Sequence, residues 1–248
     1  LLWFRRELRI HDQPLFELLD PDRDEVIMAW ILDPRDHLDV VQDFSRAGPH
    51  RLRFLLESVR ALEGSLQRLG VRLVVRLGKP EDVLPDLCRD LAIDRLCFVE
   101  APGTEERSIE RTLKKRASVA VTCLPPETLF QIDDPRAFAR ELPEVFSSFR
   151  RTAERGLEIA PSRPTPSVLV PLTTSADFDH GSVPDVEALG LAAEPADPRA
   201  VLGFEGGEPA GLERMRGWMF TGDHLKDYKV TRNGMLGGDY SSKFSPWI

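Results

Sequence analysis

Apolar positions in the first 124 residues fall into short continuous runs separated by stretches of helical period, the pattern of a parallel sheet covered by helices on both faces. Five runs predict strands over 1–4, 26–32, 71–77, 95–99 and 119–124. Between the second and third, Leu52, Leu55, Leu56, Val59, Leu62, Leu66 and Leu69 recur every three or four residues. This spacing predicts an amphipathic helix of about five turns, closed by Gly70. Further helices over 80–91 and 104–117 complete an α/β fold, a doubly wound five-stranded parallel sheet, over residues 1–130. No G-x-G-x-x-G follows the first strand, which disfavours the usual dinucleotide-binding Rossmann enzyme.

After Pro125-Pro126 the pattern changes. A helix is predicted over 143–155, and then residues 160–209 hold eight prolines without clear periodicity. A linker is therefore expected over 131–206, carrying one short helix. From Gly207 onward Leu212, Met215, Trp218, Met219 and Leu225 mark an apolar helical stripe, predicting the beginning of an all-helical domain over 207–248. Trp3, Phe4, Trp30 and Phe98 lie in strand patterns and read as core, and Trp218 and Trp247 read as packing in the second unit. The His11-Asp12 pair reads as a strand-end turn, because no nucleophile context accompanies it.

Composition narrows the class. With 248 residues, 42% hydrophobic and 30% charged, the chain can bury one good core and part of a second. The longest apolar run, 26–32, is too short to span a bilayer, and the opening LLWFRRELR has neither the order nor the length of a signal peptide. A cytoplasmic protein is expected, with no membrane partner. Cys88, Cys97 and Cys123 lack any metal or redox spacing and read as buried free thiols. No metal-ligand spacing occurs among the histidines. The net charge of −8 is uneven: residues 160–210 hold eight acids and two arginines, whereas 212–248 hold six cations and four acids. A polyanionic partner therefore remains compatible with the distribution.

The densest chemistry lies in YKVTRNGMLGGDYSSKFSPWI, residues 228–248. Ser241, Ser242 and Ser245 supply hydroxyl donors, Lys243 a positive charge, and Gly237 and Gly238 allow close backbone approach. Ser245-Pro246 predicts a helix start whose free N–H groups face the serine cluster, an anion site in outline. The plainer alternative is a polar loop that caps a helix. Arg232 and Lys229 read either as solvated surface or as phosphate contacts. Glu105 and Glu106 open the helix at Thr104, where acids meet the helix dipole and Thr104 can cap.

Taken together, WFRRELRIHD, AGPHRLRFLLESV, GKPEDVLPDL, ETLFQIDD with LPEVFSSFRR, FEGGEPAGLERM and TRNGMLGGDYSSKFSPW resemble the cryptochrome and photolyase family, most closely its DASH-type cryptochromes. The resemblance implies an N-terminal α/β domain able to carry an antenna chromophore, methenyltetrahydrofolate, and a helical domain holding FAD. It implies that Tyr228, Ser241, Ser242, Lys243, Phe244 and Ser245 contact the FAD phosphates, with serine and phenylalanine where the family has threonine and leucine. It further implies that Arg232 reaches a DNA phosphate, and that Glu106, with Glu105 beside it, contacts the pterin of the folate. The chain resembles a fragment that lacks the starting methionine and the second half of the helical domain, so no catalytic residue is assigned. The implied activity is light-driven, FAD-dependent repair of cyclobutane pyrimidine dimers in single-stranded or locally opened DNA, by a monomer. The alternatives are a blue-light photoreceptor signalling through a partner, and a nucleotide- or folate-binding module without enzymatic activity.

Overall fold

The computed structural model describes residues 1–20, 23–41, 43–126, 142–156, 158–173, 177–192, 195 and 197–247. At its centre β1 (Leu2–Phe4), β2 (Met28–Leu32), β3 (Leu73–Leu77), β4 (Arg95–Val99) and β5 (Ala120–Leu124) form a five-stranded sheet in the order β3-β2-β1-β4-β5. Every neighbouring pair is parallel. All five residues of β2 are buried, the pattern of a strand covered on both faces. Alternate residues of β1 serve different layers. Leu2 and Phe4 join Met28, Trp30 and the buried stripe Leu52, Leu56, Val59, Leu62 and Leu66 of helix α1 (Pro49–Arg68). On the opposite face Trp3, Ala29, Ile31 and Phe98 pack with Leu84 and Leu87 of α2 (Pro80–Asp90) and Leu113 of α3 (Thr104–Arg116).

Gly70 closes α1 as expected, with φ +91° and the Val71 amide donating back to the Leu66 carbonyl at 3.1 Å. The predicted run 26–32 divides: Met28–Leu32 joins the main sheet, while Glu25–Val26 pairs in parallel with Val170–Pro171. The N-cap of α3 is Gly103 and not Thr104, which is the first helical residue. The helix predicted from 143 begins three residues later, as α4 (Phe146–Gly156). The stretch ETLFQIDD, 127–134, lies outside the described residues. Cys88 and Cys97 are buried and Cys123 partly so, and desolvation pushes all three thiols up.

The proline-rich segment is pinned along the domain. Leu169, buried, donates its amide to the Leu69 carbonyl at 2.8 Å, and the Val75 amide at the outer edge of β3 donates to the His180 carbonyl at 2.8 Å. A sheet edge that would stand open is thereby covered by irregular chain. Beyond it come α5 (Glu208–Met215), one wide helical turn over Arg216–Thr221, and the short α6 (Tyr228–Thr231). That turn and the reversal at Asp223, with φ +50°, break the expected stripe: Trp218 is 2% exposed but Leu225 is 54% exposed.

Three contacts among the described residues fasten this unit to the α/β domain. Glu208, at the start of α5, accepts from the amides of Ile10 and His11, each at 3.0 Å. Gly206 and Gly207 lie against the backbone of α1, where the Gly206 amide donates to Glu57 at 2.8 Å. Trp247 completes the joint, its ring against Phe54 and Phe204 and its Nε1 donating to the Glu205 carbonyl at 2.9 Å.

Candidate functional site

Strand order reverses at β1: the chain passes first to β2 and β3 on one side, then to β4 and β5 on the other. Ligands of doubly wound sheets sit outside the strand ends at such a reversal. A crevice of about 260 Å³ opens there, lined by Arg5, Arg6, Glu7, Arg9, Glu100 and Pro102 among others. Arg5 is held rigidly. Its guanidinium lies over the ring of Trp3 at 4.6 Å, donates to the Val99 carbonyl at 3.1 Å, and pairs with the buried Glu110 of α3. Arg6 pairs with Glu106, and Arg46 with Glu105 at 2.8 Å. The two acids therefore stand beside the crevice with their carboxylates already engaged by arginines. No hydrogen bond or ion pair joins them to residues 228–245 among the described residues.

Glu7 accepts from the amides of Arg5 and Arg6 at 3.2 and 3.0 Å. Desolvation pushes its carboxyl up, and those backbone hydrogen bonds offset the shift only in part. A folded-state value above the unfolded one means that the folded chain binds more protons across that window, so stability falls as pH rises through it. Glu7→Gln is expected to remove this part of the slope in urea titrations run from pH 4.5 upward. A slope identical to that of the parent would show that Glu7 carries no such penalty.

The second site is built by α5 and its wide turn. Arg214 donates from Nε to the Ser242 carbonyl at 3.0 Å, and from Nη2 to the carbonyls of Gly238 at 2.9 Å and Ser241 at 3.4 Å. Trp218 Nε1 donates to the Asp239 carbonyl at 3.0 Å, and the Thr231 hydroxyl, 3.2 Å from both the Tyr240 and the Asp227 carbonyls, shares its one proton between them. Five consecutive carbonyls, 238–242, are thus held by side chains of the preceding elements. The amides of 239–245 donate to no partner among the described residues, and neither do the hydroxyls of Ser241, Ser242 and Ser245. Lys243 adopts φ +55°, and its ammonium group donates to the Tyr240 hydroxyl at 2.8 Å. The segment thus turns acceptors toward the protein and leaves its amide and hydroxyl donors unpaired among the described residues, the donor arrangement an anion would need.

Trp218 also gathers the predicted residues. Tyr228 and Phe244 both meet its ring edge-on with centroids 6.0 Å away, so the tyrosine and the serine segment share one aromatic support. Arg232 lies one turn beyond Tyr228, and both Arg232 and Lys229 are exposed with no ion pair among the described residues. The predicted helix start is a short 3₁₀ turn, Ser245–Trp247, over the described residues. Sequence reasoning missed Arg214 and the arginines after β1. The doublet Arg5-Arg6, directly after a strand at the sheet's reversal, was the available signal for the crevice. Among the described residues no helix is long and apolar enough to cross a membrane, and no cluster of His, Cys, Asp and Glu could hold a metal ion.

A doubly wound sheet joined through a pinned connector to a helical unit defines a two-part α/β and helical protein. The family model for DNA photolyase matches residues 1–168, and the chain belongs to that family. It is 41% identical over 252 residues to a protein named cryptochrome DASH from Gloeobacter violaceus, across the whole of this chain and 50% of that one. A cryptochrome DASH from Synechocystis is 36% identical over 268 residues, covering 51% of that protein. The crystal structure of a Synechocystis cryptochrome superposes with a TM-score of 0.88 at 35% identity, over 99% of this chain and 51% of that one. The chain spans about half the length of the relatives it matches.

Proposed function

We propose that this chain forms the antenna domain and the phosphate cradle of a DASH-type, FAD-dependent photolyase that uses blue light to repair cyclobutane pyrimidine dimers in single-stranded or locally opened DNA. One observation carries the proposal: the segment 238–245, with the carbonyls of 238–242 met by Arg214, Trp218 and Thr231, and with the amides of 239–245 and the serine hydroxyls unpaired among the described residues. That donor set matches the chemistry of a diphosphate and fits FAD.

Bound FAD supplies the photochemistry, light-driven electron donation to the dimer and recovery of the electron. The chain's residues bind and orient. Ser241, Ser242 and Ser245 would donate to phosphate oxygens and Lys243 would add positive charge, while Tyr228 and Phe244 share the ring of Trp218 as their support beside them. Arg232, with its forked donors, and Lys229 lie on the outer face of α6, where a DNA backbone phosphate would be met. Glu106 and Glu105, beside the crevice at the sheet's reversal, would contact the pterin of a methenyltetrahydrofolate antenna.

The test is a light-dependence assay on thymine-dimer oligonucleotides, single- and double-stranded, using the complete gene product with reduced FAD. Loss of the dimer only under blue light is expected, faster on single strands. Bound flavin without repair of either substrate would replace this reading with a photoreceptor. Independently, the double variant Ser241→Ala/Ser245→Ala is expected to weaken FAD binding by about tenfold or more, the scale of one or two lost hydrogen bonds to a charged group. Flavin fluorescence titration reads that loss.

A further inference from the structure

We propose that Arg214 is the positioning residue of the cradle, the side chain that turns segment 238–242 so that its donors face a diphosphate. The inference rests on reading that segment as the phosphate site. Arg214 touches neither serine hydroxyl in the structure and acts through the backbone.

The geometry is specific to a guanidinium. Three of its nitrogens are committed: Nε to Ser242, Nη2 to Gly238 and Ser241, and Nη1 to the Asp239 carboxylate at 3.2 Å. The side chain is 16% exposed, so these bonds form in a largely desolvated setting. Each carbonyl bound by Arg214 fixes the direction of the peptide that follows, because a peptide's C=O and N–H point in opposite directions across one plane. Fixing the 238, 241 and 242 carbonyls thus sets the amides of 239, 242 and 243 on the other side. Trp218 and Thr231 fix the two peptides between, so Arg214 brackets the whole turn. A lysine in its place has one ammonium group on a flexible stem and cannot span carbonyls four residues apart with fixed planar donors. The positive charge so close to the site adds attraction for an anion, but a lysine would keep that part.

The discriminating experiment compares two ligands. FAD carries the diphosphate, whereas riboflavin has the same ring without any phosphate. In the complete gene product, Arg214→Lys is expected to lower FAD affinity by about tenfold or more, the scale of one lost charge-assisted bond, and to leave riboflavin affinity unchanged. Amide exchange of residues 238–242 should quicken while the sheet core keeps its protection. A merely structural role would weaken both ligands together or neither, and an unchanged ratio of FAD to riboflavin affinity overturns the proposal.

Should Arg214→Lys fail to fold, Asp239→Asn decides. Asp239 is exposed, and among the described residues its carboxylate is the one side chain bonded to Arg214. Its removal also takes a negative charge from beside the site, which by itself favours an anion, so the expected fall in the FAD-to-riboflavin ratio despite that gain reports the lost orientation of Arg214; a rise or no change overturns the proposal. Ser241→Ala/Ser245→Ala separates the two levels. If the serine variant leaves the ratio intact, the phosphate reading falls and Arg214's role with it. If the serine variant lowers the ratio and Arg214→Lys does not, only the role of Arg214 falls.

Discussion

Replacing Arg5 with methionine is expected to destabilise the fold by about 3–5 kcal/mol, because it leaves the buried carboxylate of Glu110 without its cation. The side chains of Arg5 and Glu110 are only 9% and 5% exposed, so water cannot replace the lost partner without opening the sheet's edge against α3. Methionine keeps much of the volume between the rings of Trp3 and Phe98, and the loss therefore reports on charge more than on packing. Glu110 would still accept from the Ala101 amide at 2.9 Å, one hydrogen bond against a full negative charge. The double variant Arg5→Met/Glu110→Leu should recover most of the loss, leaving about 1 kcal/mol for the orphaned Ala101 amide. Urea denaturation of the three variants beside the parent measures this. A single variant within the error of the parent would mean that the pair does not hold the crevice wall.

The second large effect is expected from Gly206→Ala. A Cβ there would lie 2.1 Å from the Phe54 carbonyl oxygen and 2.8 Å from the Ser58 amide, both backbone atoms of α1 that no rotamer change can move. The chain must withdraw from α1, giving up the bond from the Gly206 amide to Glu57 and the seat of Trp247 against Phe54. Gly207→Ala is blocked twice, by φ +103° and by a Cβ that would lie 2.4 Å from that of Ala61. Each is expected to cost about 1–3 kcal/mol in overpacking, and more where backbone must shift. Limited proteolysis should then cut residues 197–207 faster while 1–124 stays resistant. FAD affinity should fall as well, since the cradle is anchored through the same joint. Gly64→Ala is the control: it lies within α1, its added methyl meets nothing closer than 4.0 Å, and it should stabilise by up to about 1 kcal/mol. Equal resistance of the Gly206 variant and the control would remove the joint from the account.

Much of the fold was legible because burial on two sides writes itself as uninterrupted apolar runs. The strands at 28–32, 73–77, 95–99 and 120–124 fall within the predicted runs, and α1 with its Gly70 stop is read from one stripe and one left-handed position. The division of 26–32 was not legible, since Val26 and Ile27 are as apolar as the strand they adjoin and only the partner at Val170–Pro171 separates them. Thr104 looked like a cap because its hydroxyl suits that role, yet the chain enters α3 one residue earlier, at Gly103. The role of Trp218 was half legible. Its burial followed from the stripe, but that Tyr228 and Phe244 would meet on its ring depended on the wide turn after Met215.

By itself the sequence determined the sheet and helices of the first 124 residues and the residue types able to meet a phosphate, because these are encoded in local period or local composition, while the family was carried by a resemblance of several motifs in order. Only the tertiary structure decided where the donors point. The carbonyls of 238–242 are satisfied by side chains from Arg214, Trp218 and Thr231, up to 28 positions away along the chain. No period in the sequence records such a bond. It also decided that an irregular proline-rich stretch covers the edge of β3 and that two glycines set the distance between α1 and the cradle, since close approach of backbones is a property of packed neighbours and not of neighbours in sequence.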